Sequence, residues 1–129
     1  MRTTTILGLL LFCGVVSAAD FRAGIGRVVI TPPSPIWMTG YAARTHASEG
    51  AVHDLWAKAL VMEDGRKGRV VIVTTDVLGL PREISEEVAS RLSKKYGIER
   101  SQLVLNSSHT HCGPVVWPNA STAAALVNA

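Results

Sequence analysis

Cysteine is scarce in this sequence of 129 residues, which contains only Cys13 and Cys112. We expect Cys13 to be removed with a leader peptide, so Cys112 becomes the one cysteine of the mature chain. A single thiol cannot form a disulfide within the chain. This excludes the small disulfide-stabilised scaffolds that are common among secreted proteins.

Aromatic residues and concentrated charge are scarce as well. Phe, Trp and Tyr make up 5% of the residues, charged residues make up 18%, and the formal net charge is +3. Basic residues cluster locally only at 66–69, which we interpret as a solvated turn. A nucleic-acid-binding surface needs a basic face with interleaved aromatic side chains, so we expect no nucleic-acid partner. The hydrophobic share of 47% is typical of a globular chain of one domain.

No apolar run is long enough to span a bilayer comfortably. The run from Ile6 to Val16 has the length of a signal-peptide core, Arg2 precedes it, and small residues suited to a signal peptidase follow it. We therefore predict that residues 1–19 are a signal peptide, cleaved after Ala18 or Ala19. The mature protein would then be secreted, periplasmic or held at the cell surface.

Four runs of apolar and β-branched residues predict strands in the mature chain. They lie at residues 20–31, 55–62, 69–75 and 102–106. The run at 69–75 is nearly all apolar, so we expect it to be buried on both faces of a sheet. The run at 55–62 could equally be helical, but a turn signal at 63–65 favours a hairpin between it and the next strand.

A helix is predicted between the last two strands. Pro81 is well placed in its first turn, and Gly97 is typical of a C-terminal cap. Apolar residues recur at helical spacing between them; they are Ile84, Val88, Leu92 and Tyr96. Strand, helix and strand in this order imply parallel pairing. We therefore predict an α/β fold, with a mixed sheet and one βαβ crossover.

Polar residues follow each of the two predicted parallel strands. Asp76 comes just after the first, and His109 and His111 come just after the second. Ligands of open α/β sheets bind outside these strand ends. Residues two apart in an extended segment point the same way, so both imidazoles can face one pocket. One could bind a metal while the other contacts its water. Asp76 either orients such groups or caps the helix that begins at Pro81.

Two further residues near this segment have less specific interpretations. Cys112 would point away from both histidines if the segment is extended, which favours a packed thiol over a metal ligand. His53 lies in a loop, where a histidine is most simply explained as solvated.

Four stretches of this sequence form a more specific pattern when they are taken in order. They are Gly24-Ile25-Gly26 with Ile30-Thr31-Pro32, then Met38–Ala42, Val52–Ala59 and Ser108–Pro114. Together they resemble the N-terminal part of the neutral/alkaline non-lysosomal ceramidase family, over residues 21–117. Asp76 with Gly79 also matches the family pattern. Cys112 stands where the family usually has serine, and Val29 where it usually has aspartate.

The resemblance implies a zinc-dependent amidohydrolase that splits the amide of ceramide (N-acylsphingosine) into sphingosine and a fatty acid. In this family the first histidine of the His-Thr-His motif binds zinc, and the second contacts the zinc-bound water. By this resemblance His109 is the metal ligand and His111 the catalytic base, with Asp76 and His53 as candidates for the polar groups around them. The implied partners are Zn²⁺, a ceramide-like lipid amide and a membrane surface. Nothing in the sequence indicates an oligomeric state.

The resemblance also implies that the active site needs residues from further along a longer chain. In the family the other zinc ligands are a histidine, a glutamate and a tyrosine that lie downstream. We therefore expect residues 20–129 to be the N-terminal portion of a larger catalytic domain, inactive alone. The alternatives are a secreted binding or structural protein on the same scaffold, and a hydrolase of another amide.

Overall fold

The computed structural model describes residues 20–33, 35–66 and 68–117. The predicted signal peptide and residues 118–129 of the predicted domain lie outside this part of the chain. The elements are β1 (Arg22–Val29), β2 (Trp56–Glu63), β3 (Arg69–Thr75), α1 (Arg82–Tyr96), a short 3-10 helix (Arg100–Gln102) and β4 (Leu103–Ser107). No helix in these ranges is long and apolar enough to cross a membrane.

The four strands form one mixed sheet in the order β1-β2-β3-β4. The pairs β1–β2 and β2–β3 are antiparallel, whereas β3 and β4 are parallel and are joined through α1. The α/β class and the βαβ crossover are therefore confirmed. The ambiguous run at 55–62 is a strand, because it pairs with a neighbour along each side. The Asp64 carboxylate closes the hairpin by accepting hydrogen bonds from the backbone N–H groups of Arg66 and Gly68.

Helix α1 begins and ends where the sequence predicts. Pro81 is the N-cap residue, and Gly97 adopts the left-handed conformation at the C-terminus with φ 64°. The Gly97 N–H donates to the Ser93 carbonyl at 2.9 Å, which satisfies one of the carbonyl groups left free at a helix end. On the exposed side the Arg91 guanidinium, which donates to Glu87, lowers the pKa of that carboxyl.

The core lies between α1 and one face of the sheet. Val71, Ile98 and Leu103 are buried there, and partly buried aliphatic side chains of the helix and the strands pack around them. Within the predicted helical stripe, Val88 and Leu92 join this cluster. Ile84 and Tyr96, at the two ends of the stripe, are exposed.

The opposite face of the sheet has no cover in the described part of the chain. Ile25, Leu60 and Ile72 are opposite one another across β1, β2 and β3, and Ile25 is 89% exposed. Val70 in β3 is 40% exposed. The expectation that β3 is buried on both faces of the sheet is therefore wrong, because α1 packs against one face only.

Candidate functional site

Two loops that are distant in the sequence meet next to the parallel strands. One loop follows β4, and its Ser108 N–H donates to the carbonyl of Thr75 at the end of β3. The other precedes β2, and its Met38 forms an antiparallel bridge with Pro114. Backbone hydrogen bonds on both sides of that bridge, from Thr39 to the Gly113 carbonyl and from Val115 to the Trp37 carbonyl, hold the two loops together. The second and fourth family stretches are thereby brought side by side.

His109 and His111 converge at this junction. Their ring centroids are 5.4 Å apart, and the ring planes are inclined by 60°. The expected extended backbone is wrong, because His109 adopts a left-handed conformation with φ 59°. The two imidazoles are therefore neighbours because of a turn at His109 and not because of strand alternation.

The His109 ring is oriented through its Nδ1 atom. Nδ1 lies 2.9 Å from the backbone carbonyl oxygen of Leu78. A carbonyl oxygen only accepts hydrogen bonds, so Nδ1 is the donor, and in the neutral ring Nε2 then carries the lone pair. Metal-binding histidines in proteins usually make this arrangement, in which the second ring nitrogen donates to a carbonyl or carboxylate. Leu78 was not among the residues that the sequence singled out.

His111 is half-buried between its neighbours. On one side lies the His109 ring, and on another the Tyr41 ring meets it edge to face, with 4.9 Å between the centroids. Gly40, with φ 76°, lies directly against the imidazole. A Cβ atom on this glycine would be 2.5 Å from Cγ of His111, which is closer than side chains can approach. Glycine at position 40 is therefore required both by the backbone and by the space that His111 occupies.

Asp76 joins two strands near the site. Its Oδ2 atom accepts a hydrogen bond from the Trp56 N–H at 3.0 Å, and its own N–H donates to the Trp56 carbonyl at 2.9 Å. The helix-cap interpretation of Asp76 is wrong, because the N-cap residue of α1 is Pro81 and no side chain caps it. Asp76 makes no hydrogen bond to His109 or His111 in the described structure. Its two hydrogen bonds with Trp56 instead set where β2 begins relative to the end of β3.

His53 is an exposed loop residue, and in the described part of the chain no hydrogen bond or ring contact joins it to His109 or His111. It lines an apolar cleft of about 520 Å³ together with Cys112 and Thr110 of the loop that carries both of those histidines. Aliphatic side chains supply most of the remaining wall; they include Ile36, Met38, Val52 and Leu55. The cleft was not predicted, because its walls come from three segments that are separate in the sequence.

Hydrogen bonds between two separate segments support this cleft. The Thr31 hydroxyl donates to Asp54 and accepts from the Leu55 N–H, both at 2.9 Å. The first and third family stretches therefore meet in the cleft wall, while the fourth supplies Thr110 and Cys112.

The donor set fits one part of a zinc site. Zinc is well bound by neutral imidazole, and His109 presents Nε2 in the form that a metal needs. A catalytic zinc has about three protein ligands. Among residues 20–33, 35–66 and 68–117, no group of three or more His, Cys, Asp or Glu side chains is placed to hold a metal ion.

Comparison with known proteins agrees with this geometry. The family model of neutral/alkaline non-lysosomal ceramidase, N-terminal, matches residues 21–126. The neutral ceramidase of Drosophila melanogaster is 32% identical over 117 residues, which are 88% of this chain and 16% of that protein. The chain thus spans about a sixth of the length of this relative.

Two solved structures are similar to most of the chain. Neutral ceramidase from Pseudomonas aeruginosa has a TM-score of 0.68 and 31% identity, over 77% of this chain and 16% of that one. A ceramidase complexed with C2 has a TM-score of 0.67 and 30% identity, over 76% of this chain and 16% of that one. From the matched family model, these relatives and the paired histidines, we conclude that the chain belongs to the neutral/alkaline non-lysosomal ceramidase family.

Proposed function

We propose that this chain supplies one part of the active site of an exported, zinc-dependent amidohydrolase. In the complete protein, that site would hydrolyse the amide bond of ceramide to release sphingosine and a fatty acid. Membership of the family and the names of the relatives support this proposal. The observation that carries it is the pair of imidazoles in which His109 has its Nε2 lone pair free.

His109 would hold the metal through Nε2. The Leu78 carbonyl keeps the ring in the required tautomer and stops it from rotating, which makes the nitrogen a better ligand. Zinc at this position would acidify water and polarise an amide carbonyl. The remaining protein ligands would come from other segments of the complete protein.

His111 would act as general base and then as general acid. A neutral imidazole nitrogen can accept a proton from water as water attacks the carbonyl carbon. It can then donate that proton to the amide nitrogen as the C–N bond breaks. Packing against Gly40 and Tyr41 restricts the ring to one orientation, which this transfer requires.

The apolar cleft suits a lipid amide. Its volume of about 520 Å³ and its aliphatic walls could accommodate a hydrocarbon chain, and it adjoins the loop with the histidines at Thr110 and Cys112. A lipid substrate would reach the site from a membrane surface, and an exported enzyme would meet it outside the cell.

The direct test is hydrolysis of a fluorescent ceramide analogue by the complete protein. We expect His109→Ala to abolish both activity and zinc binding. A chelator should likewise remove the activity of the parent protein, and added zinc should restore it. His46→Ala is the matched control, because His46 is an exposed loop histidine whose ring forms a hydrogen bond with the neighbouring Ala47 carbonyl. Full activity of His109→Ala would rule out the proposed ligand. A panel of other amides would identify a hydrolase with a different substrate.

A further inference from the structure

Both neighbours of the His111 ring have an unusual backbone. In the described part of the chain, the non-glycine residues with positive φ are Tyr41 at 52° and His109 at 59°. Their rings are the two that lie against His111, at 4.9 Å and 5.4 Å. A left-handed conformation is unfavourable for a non-glycine residue and persists only where other contacts hold it. His109 is held by the Leu78 carbonyl, so Tyr41 needs a contact of its own.

The Arg44 side chain supplies contacts to both loops. Its Nη2 atom donates to the carbonyl of His111 at 2.7 Å, and its Nε atom donates to the carbonyl of Gly40 at 3.2 Å. Its guanidinium carbon also lies 5.3 Å from the centre of the Tyr41 ring. One half-buried side chain thus contacts His111, Gly40 and Tyr41 together.

The chemistry of this contact is specific to arginine. A guanidinium presents its N–H donors in a rigid planar fork, so it can reach two carbonyl oxygens in fixed directions while its face lies over an aromatic ring. A lysine ammonium is a single point and cannot reproduce that geometry.

Arg44 is not needed to bring the two loops together. The Met38–Pro114 bridge and the backbone hydrogen bonds beside it already join them. The contribution of Arg44 is therefore local, and it determines where the backbone of His111 and the ring of Tyr41 lie relative to each other.

We propose that Arg44 is a positioning residue for His111, holding the imidazole in its reactive orientation through the carbonyls of His111 and Gly40 and the ring of Tyr41. This inference rests on the proposed function, because His111 is the base in that proposal. Arg44 would act through His111 and would not touch the substrate.

The test is a double-mutant cycle in the complete, zinc-loaded protein. We expect Arg44→Met to lower kcat roughly tenfold or more with little change in KM, since small misplacements of a reacting group are costly. Arg44→Lys should recover little of this loss. In a His111→Ala background the same Arg44→Met change should have no further effect. Arg27→Met is the control, because Arg27 lies 4.8 Å over the Trp56 ring in a similar cation–π contact on the sheet.

A second measurement is independent of activity. The rate at which diethyl pyrocarbonate modifies His111, followed by peptide mass spectrometry, should rise in Arg44→Met while the rates for His46 and His53 stay constant. An equal loss of kcat with and without His111 would overturn the inference, as would an unchanged modification rate. If His111→Ala is itself fully active, the proposed base is wrong, and the modification rate alone then decides whether Arg44 positions the ring.

Discussion

The residues around His111 explain how the two imidazoles are held close together. His109 is held by a carbonyl of the β3–α1 connection, and His111 is held by the loop that contains Gly40 and Tyr41. The sequence predicted that both imidazoles converge, but for the wrong reason. Strand alternation would place the two side chains on one face, whereas the structure uses a left-handed turn at His109. Such a turn depends on contacts with distant segments, which no local pattern encodes.

Gly40 is the position where a single methyl group should perturb the site most directly. In Gly40→Ala the new Cβ would collide with the His111 ring, and the backbone would be strained at φ 76°. We expect kcat of the complete protein to fall by about tenfold or more, because the imidazole must move. Gly24→Ala is the control, since a Cβ at Gly24 meets nothing within 4 Å. Assays of both variants on a ceramide analogue check this, and an active Gly40→Ala protein would show that the His111 position is not critical.

Asp76 should contribute to stability through the hydrogen bond that its carboxylate accepts from the backbone N–H of Trp56. Removal of the carboxylate in Asp76→Ala leaves the half-buried Trp56 N–H without its acceptor. A hydrogen bond to a charged group contributes about 1.5–3 kcal/mol, so we expect the free energy of unfolding to fall by about that amount. Asp76→Asn keeps an oxygen acceptor and should lose less. Urea unfolding of both variants measures the difference, and equal losses would mean that the charge and not the hydrogen bond is important.

At the scale of whole elements, local chemistry was a good guide. The predicted bounds of β3 and the observed Arg69–Thr75 coincide, because a run of β-branched residues between a turn and a polar segment has few alternatives. The hairpin follows from the Asp64 turn, and α1 follows from Pro81 and Gly97. What local chemistry could not predict is which strand faces are covered. That depends on the direction from which other elements pack, so the predicted burial of β3 on both faces was wrong.

Gly97 provides an energetic test of the helix end. Its φ is 64°, yet a Cβ there would meet no other atom within 4 Å. The cost of Gly97→Ala should therefore come from the backbone alone and amount to about 1–2 kcal/mol. Gly26→Ala also introduces a methyl group into open space, but in a strand with ordinary φ, so it should be neutral or slightly stabilising. Thermal unfolding of Gly97→Ala and Gly26→Ala measures this difference. Equal unfolding midpoints would contradict a backbone cost at Gly97.

At the scale of the whole molecule, the fold explains why four separate family stretches are needed. The first and third meet in the wall of the apolar cleft through Thr31 and Asp54. The second and fourth meet at the Met38–Pro114 bridge, next to the paired histidines. From the sequence it was possible to predict that the candidate residues follow the ends of the two parallel strands. The cleft and the contact of Arg44 with His111 were not predictable, because each joins segments more than ten residues apart that have no shared pattern.

The uncovered sheet face should make a polypeptide of residues 20–117 associate. Ile25, Leu60 and Ile72 form an apolar row across three strands, and β1 leaves an unpaired edge beside them. We expect the apparent mass in sedimentation experiments to increase with concentration. Ile25→Lys should reduce this association, whereas Val52→Lys, at a still more exposed loop position, should not. A monomer at all concentrations would show that the exposed face is tolerated in water.

The same polypeptide should bind zinc only weakly. His109 offers one well-oriented nitrogen and His111 a second, whereas a catalytic zinc site takes about three protein ligands. With at most two imidazoles, most of the coordination sphere would be water, so binding should be far weaker than in the complete enzyme and should fall further as histidine becomes protonated. Calorimetric titration with zinc measures this, with His109→Ala to identify the site and His46→Ala as the matched control. Tight, stoichiometric binding that only His109→Ala removes would mean that residues 20–117 suffice as a zinc site, and the requirement for ligands from other segments would then be wrong.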